Sequence, residues 1–64
     1  MNFIKQKRVA LNLTQQELAD KAHLSKNSIL NYESGKRSPK ISDLIKIAQA
    51  LDCRVSELIS EDGE

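Results

Sequence analysis

The chain has few of the residues on which small catalytic and disulfide-bonded proteins depend. Its 64 residues include one Cys, one His, one Pro, two Gly and two aromatic residues, and no Trp. A single cysteine excludes an intrachain disulfide and a cysteine metal cluster. We expect Cys53 to be a small core residue, with an intermolecular disulfide or a redox switch as the alternative. One His and one Cys provide no nucleophile–base pair. The chain is therefore predicted to be no enzyme and to bind no metal, cofactor or small-molecule substrate.

Long apolar runs are absent as well. No stretch approaches the roughly 18 residues of a membrane span, and residues 1–8 lack the apolar segment of a signal peptide. These absences predict a reduced, soluble, intracellular protein. The length excludes large enzyme folds and predicts one domain over residues 1–64. Because Phe3 and Tyr32 are the only aromatic residues, the core must be aliphatic, which favours helices over sheets.

What the chain does have is helical spacing of its apolar residues from end to end. Asn12 stands where a left-handed residue ends the first helix. Thr14 and Glu17 form a capping box, and Ser25 is the next N-cap candidate. Gly35 ends the third helix before a polar, basic loop. The pattern predicts an all-α bundle of five short helices, over residues 3–11, 15–22, 26–33, 41–51 and 55–60, followed by an acidic tail at 61–64.

The second and third predicted helices are separated by a tight turn, and Ala19 is small where they cross. One run of sequence, Gln15-Gln16-Glu17-Leu18-Ala19-Asp20-Lys21-Ala22, is followed by Leu24-Ser25 and by Ile29-x-x-Tyr32-Glu33-x-Gly35-Lys36-Arg37-x-Pro39. Together these motifs resemble the Cro/C1-type helix-turn-helix domains of phage repressors and XRE-like regulators. The resemblance extends over about residues 3–60. It implies a compact lambda-repressor-like bundle in which helices two and three form the helix-turn-helix.

The same resemblance implies a sequence-specific transcriptional regulator, most simply a repressor, in the cytoplasm of a bacterium or encoded by a phage. Its partners would be double-stranded DNA with a palindromic operator and a second copy of the chain. Base-reading residues in the major groove would be Lys26, Asn27, Leu30 and Asn31, since amides pair with adenine, lysine with guanine and leucine with the thymine methyl. Phosphate contacts would come from Gln15, Ser25, Tyr32, Lys36, Arg37, Ser38 and Lys40; we expect Tyr32 to pack in the core with its hydroxyl free to reach a phosphate. For both sets the alternative is an ordinary solvated surface.

Other residues receive structural roles from the resemblance. Arg8 and Glu33 are expected to form a partly buried ion pair between the first and third helices. The dimer contact is expected from Arg54, Val55, Glu57, Leu58 and Ile59. His23 and Asp52 stand where the family commonly has glycine, so a positive φ at His23 is expected at some cost. The rival interpretation is a helix-turn-helix module used for protein–protein interaction, antitoxin-like or coactivator-like, with Leu30 as an anchor.

The formal net charge of +1 is an average over two unlike halves. Residues 1–40 hold eight basic and three acidic residues, giving +5, whereas residues 41–64 hold two basic and six acidic residues, giving −4. Such polarity would orient the domain on a phosphate backbone. The distribution of charge therefore supports a nucleic-acid partner, although the total does not.

Overall fold

The computed structural model describes residues 2–59, which form four α-helices and one short 3-10 turn, with no strand among them. The helices are α1 (Ile4–Ala10), α2 (Gln15–Ala22), α3 (Lys26–Ser34) and α4 (Ile41–Ala50), and the 3-10 turn is Val55–Glu57. The all-helical class is confirmed. No helix within these residues is both long enough and apolar enough to cross a membrane.

The prediction of a fifth helix over 55–60 is wrong. The segment makes a single 3-10 turn and then pairs with the start of the chain: Phe3 N–H donates to the Leu58 carbonyl at 2.8 Å, and Asn2 and Ile59 form an antiparallel bridge. Extended pairing is incompatible with continued helical hydrogen bonding. Residue 60 and the predicted acidic tail lie outside the described residues.

Local capping signals set the boundaries of α2 and α3, as predicted. Thr14 Oγ1 accepts the Glu17 N–H at 3.0 Å, and Glu17 Oε1 accepts the Thr14 N–H at 2.8 Å, which confirms the capping box of α2. Ser25 Oγ accepts the Ser28 N–H at 3.1 Å and so caps α3. Gly35, with φ +81°, ends that helix in the left-handed region.

Within residues 2–59, three residues other than glycine also adopt the left-handed conformation. Asn12 and His23 have φ values of 59° and 58°, as expected from their positions after α1 and α2. Asp52 follows α4 with φ 55°. Left-handed φ values are costly for L-residues, and Asn, Asp and His tolerate them better than most other residue types do.

The core forms around α2, which packs against both α3 and α4, while α1 packs on α3. Cys53 is half-buried against this core, as the core interpretation predicted. The core is aliphatic apart from one ring, that of Tyr32. Its buried members are Ile4, Leu18, Ala19, Ala22, Ile29, Tyr32, Leu44, Ile47, Ala48, Leu51 and Leu58.

Candidate nucleic-acid interface

The outer side of α3 carries the residues predicted to read bases. Ile29 and Tyr32 turn inward, so Asn27, Leu30 and Asn31 lie on the opposite side of the helix, and Lys26 lies at its edge. The Lys26 and Asn27 side chains are exposed, Asn31 is half-buried, and Leu30 is 42% exposed. The structure thus brings all four to one face of one helix, which we call the α3 outer face.

Sequence reasoning missed one member of this face. Ser34 is exposed one turn beyond Leu30. Its hydroxyl donates to the Asn31 carbonyl at 3.2 Å and accepts the Lys36 N–H at 3.3 Å. Because residues four apart lie on the same side of a helix, the spacing between Leu30 and Ser34 could have placed Ser34 on this face. Ser34 therefore joins the α3 outer face to the basic loop that follows it.

The basic loop, residues 35–40, folds back on the end of α3. Arg37 N–H donates to the Asn31 carbonyl at 3.2 Å, within one turn of the α3 outer face. The side chains predicted to contact phosphate on this side are Lys36, Arg37, Ser38 and Lys40, and all of them are exposed. Three cationic groups therefore lie in a short segment next to the α3 outer face.

On the other side, Gln15 opens α2 and is half-buried. Its Nε2 donates to Glu33 Oε1 at 3.1 Å, which leaves its second N–H for another acceptor. Ser25, at the start of α3, uses its hydroxyl locally, because it accepts the Ser28 N–H and donates to Ser28 Oγ at 3.0 Å. Gln15 therefore has an amide N–H to offer a ligand, whereas the Ser25 hydroxyl is committed to its cap.

The expectation of a free Tyr32 hydroxyl is wrong. The side chain is 4% exposed, and its hydroxyl donates to Oδ2 of Asp43, a buried residue in the first turn of α4. This hydrogen bond raises the pKa of Tyr32, because it favours the protonated phenol, and burial raises it further. Tyr32 is consequently a link between α3 and α4 and has no hydroxyl to offer a phosphate.

Arg8 and Glu33 lie in contact across α1 and α3. Arg8 Nε donates to Glu33 Oε2 at 2.6 Å, and Nη2 donates to Oε1 at 3.1 Å. Arg8 Nη1 also donates to the Leu13 carbonyl at 2.7 Å, so one guanidinium joins three segments. Glu33 is the only acidic residue of α3, and its charge is paired with Arg8. The α3 outer face thus carries amide, hydroxyl, apolar and cationic groups.

The residues expected at the dimer contact occupy unlike environments. Leu58 is wholly buried in the chain's own core, so its expected contact with a second copy is wrong. Val55 is half-buried against that core. The Glu57 carboxylate accepts hydrogen bonds from the Arg54 backbone N–H and from Lys7 Nζ, each at 3.0 Å. Both donors lower the pKa of the Glu57 carboxyl, and the backbone N–H has the larger effect. Arg54 and Ile59 remain exposed.

The fold and these surfaces define a small helix-turn-helix domain. The helix-turn-helix family matches residues 4–58, so the chain belongs to that family, in its Cro/C1-type branch. The family expected from the sequence motifs is therefore confirmed.

The individual relatives include phage and bacterial regulators. The chain is 43% identical over 51 residues to the cryptic phage CTXphi transcriptional repressor RstR of Vibrio cholerae, a match that covers 80% of this chain and 46% of the repressor. It is 37% identical over 59 residues to the immunity repressor protein of Bacillus phage phi105, covering 92% and 41% of the two chains. The chain spans about half the length of the repressors it matches.

Among solved structures, the chain is similar to the restriction-modification controller protein C.AhdI from Aeromonas hydrophila. The TM-score is 0.85 at 30% sequence identity, and the match covers 88% of this chain and 85% of C.AhdI. The fold is thus shared with a controller protein of similar size whose structure has been determined by crystallography.

Proposed function

We propose that this domain binds double-stranded DNA in a sequence-specific manner and regulates transcription, as a repressor. The observation that carries the proposal is the composition of the α3 outer face, with Asn27, Leu30 and Asn31 between two groups of phosphate-binding candidates. The names of the matched relatives, which include phage repressors, support the same function.

In this proposal α3 enters the major groove and its side chains read base edges. Asn27 is exposed and can pair with N6 and N7 of adenine, while Lys26 can donate to the guanine acceptors. Leu30 contacts a thymine methyl, which accounts for an exposed leucine between two amides. Each good pair contributes about 1–3 kcal/mol of discrimination against the wrong base.

The two flanks of α3 hold the DNA backbone in this proposal. At the start of α2, backbone N–H groups and the second N–H of Gln15 face an anion, a favourable arrangement at a helix N-terminus. On the other flank, Lys36, Arg37 and Lys40 supply positive charge from the basic loop. Such contacts fix the register of α3 without reading sequence themselves.

We further propose that the domain binds a palindromic operator as a homodimer. With Leu58 buried, the self-contact moves to exposed apolar side chains: Ile59, and Ile41 and Ile45, which lie one turn apart on α4. Leu44, between them on α4, lines a surface cavity together with Ile59. Consecutive major grooves on one side of DNA are about 34 Å apart. The domain measures 29 × 21 × 19 Å, so two copies in contact along the longest axis have their centres about 29 Å apart, which is of the same order as that spacing.

Selection of bound duplexes from a random pool, at low salt, tests the proposal directly. We expect enrichment of a two-fold symmetric sequence. On the selected site, Asn27→Ala should relax the preference for one base pair, and Lys36→Ala should weaken binding to all sequences and reduce the salt slope by about 0.9. Lys46→Ala, on α4 and outside the proposed interface, is the matched control and should change neither quantity.

The outcomes separate DNA binding from the rival protein-binding function. Absence of any enriched sequence would refute the proposal. A protein-binding module would also tolerate charge reversal at Lys26, Lys36 and Arg37 and show no salt-dependent DNA affinity. In that case Leu30, half-exposed on the α3 outer face, would be the anchor for a partner.

A further inference from the structure

We propose that Tyr32 and Asp43 are positioning residues that fix the basic loop against α3, and thereby aim its cations at the DNA backbone. The inference rests on the proposed DNA-binding function for its consequence, although its structural part does not depend on DNA. The observation behind it is a buried polar contact between α3 and α4, two helices that otherwise pack little against each other.

The main packing partner of both α3 and α4 is α2, so the relation between α3 and α4 is largely indirect. The Tyr32 hydroxyl bridges them by donating to the Asp43 carboxylate. Exposure is 4% for Tyr32 and 8% for Asp43, so water competes little for this hydrogen bond. Because Asp43 lies in the first turn of α4, its charge is also stabilised by the N-terminal end of the helix dipole.

This hydrogen bond closes a ring of chain that contains the whole basic loop. Two hydrogen bonds hold the ring: Arg37 N–H donates to the Asn31 carbonyl at 3.2 Å, and the Tyr32 hydroxyl donates to the Asp43 carboxylate where the ring closes. All three loop cations lie within this ring: Arg37 is one of the held residues, Lys36 precedes it, and Lys40 lies between Arg37 and Asp43. Fixing both ends restricts the conformations that the loop can adopt, and a preorganised loop loses less conformational entropy when it binds.

The alternative is that the pair stabilises the core and has no effect on the loop. The two roles differ in what Tyr32→Phe does. That variant keeps the ring in the core but removes the hydroxyl, leaving a buried carboxylate without its donor. If the pair positions the loop, the change is local to residues 35–40. If the pair is only a core interaction, the effect follows global stability.

Amide hydrogen exchange of the free protein, read at Arg37, distinguishes them without DNA. The matched control is Ile47→Val, which removes one methyl-sized group from a wholly buried α4 residue and lowers global stability. Conditions are adjusted with urea so that both variants have the same free energy of unfolding. We expect faster Arg37 exchange in Tyr32→Phe than in Ile47→Val. Equal exchange in the two variants would overturn the inference.

The second readout is the dependence of DNA affinity on salt, measured on the selected duplex. We expect Tyr32→Phe to lower the slope of log K against log salt by about 0.9 for each phosphate that the loop cations no longer neutralise, while base preference is retained. Ile47→Val should keep the wild-type slope.

A third variant isolates the cations that the pair is proposed to position. In a Lys36→Ala/Arg37→Ala/Lys40→Ala background, Tyr32→Phe should have little further effect on DNA affinity, because the loop cations have been removed; a full effect there would overturn the inference. If wild-type protein selects no DNA, the proposed function fails, and the Arg37 exchange still decides whether the pair holds the loop.

Discussion

The ion pair between Arg8 and Glu33 gives the sharpest test of how this small bundle is held together. The side chains are 11% and 4% exposed, so Glu33→Leu would leave the Arg8 Nε and Nη2 groups buried without an acceptor. Removing one partner of a buried pair costs about 3–5 kcal/mol. A 64-residue domain has a total free energy of unfolding of roughly 3–10 kcal/mol. Glu33→Leu should therefore leave the domain marginally folded or unfolded.

The double variant Arg8→Met/Glu33→Leu separates the value of the pair from the cost of an orphaned charge. Replacing both partners by apolar side chains of similar size is often neutral or stabilising. We expect the double variant to recover most of the loss, although Met cannot replace the hydrogen bond that Arg8 Nη1 donates to the Leu13 carbonyl. Urea unfolding followed by far-ultraviolet circular dichroism, with a shared slope, measures all three free energies.

A loss below about 1 kcal/mol in Glu33→Leu would equal that of an exposed salt bridge and would refute the reasoning. So would a double variant less stable than Glu33→Leu, since the pair would then contribute more than the desolvation penalty it relieves. The exposed pair Lys7–Glu57 is the internal comparison. Disrupting this exposed pair should lower the free energy of unfolding much less, and the loss should diminish as the salt concentration is raised.

Three further predictions concern other features of the fold. His23→Gly should raise the free energy of unfolding by about 0.5–1 kcal/mol, because glycine adopts the left-handed backbone conformation without the strain that a side chain causes. Gly35→Ala, with open space around the added Cβ, should lower the free energy of unfolding by about 1 kcal/mol through φ strain alone. Two changes of the same sign in urea unfolding would contradict this. Thr14→Ala should cost about 1 kcal/mol by removing the α2 cap, with amide exchange increased in the first turn of α2; unchanged stability would contradict it. Glu57 has a lowered folded-state pKa, so its contribution to stability is present above the unfolded-state pKa and is lost as pH falls through the folded-state value. The melting temperature of Glu57→Gln should therefore fall less than that of the wild type between about pH 6 and pH 3. Identical pH profiles would exclude that role.

The parts of the fold that the sequence predicts are those with local causes. A capping box needs only Thr14 and Glu17, three residues apart, and Gly35 marks a helix end through its own backbone freedom. The α3 outer face follows equally from spacing, because Ile29 and Tyr32 commit one side of the helix to the core. In each case the signal and the structure lie within one or two helical turns.

Nonlocal contacts account for what the sequence did not predict. The spacing of Val55 and Leu58 suits an α-helix and a 3-10 turn equally, and the choice is made by pairing with Asn2 and Phe3 at the other end of the chain. The Tyr32 hydroxyl was expected to be free to reach a phosphate, whereas it donates to Asp43, which lies beyond the basic loop. No periodicity connects those two residues.

The uneven placement of charges around the basic loop also explains how a nearly neutral chain presents a cationic surface. Glu33 and Asp43 flank the basic loop in sequence, and each turns inward, Glu33 to Arg8 and Asp43 to Tyr32. Lys36, Arg37 and Lys40 between them remain exposed. Arg8 compensates the charge of Glu33, and Asp43, whose phenol donor is neutral, is one carboxylate beside three loop cations. The local field at the loop is therefore more positive than the net charge of +1 indicates, which is the condition for salt-dependent binding to a phosphate backbone.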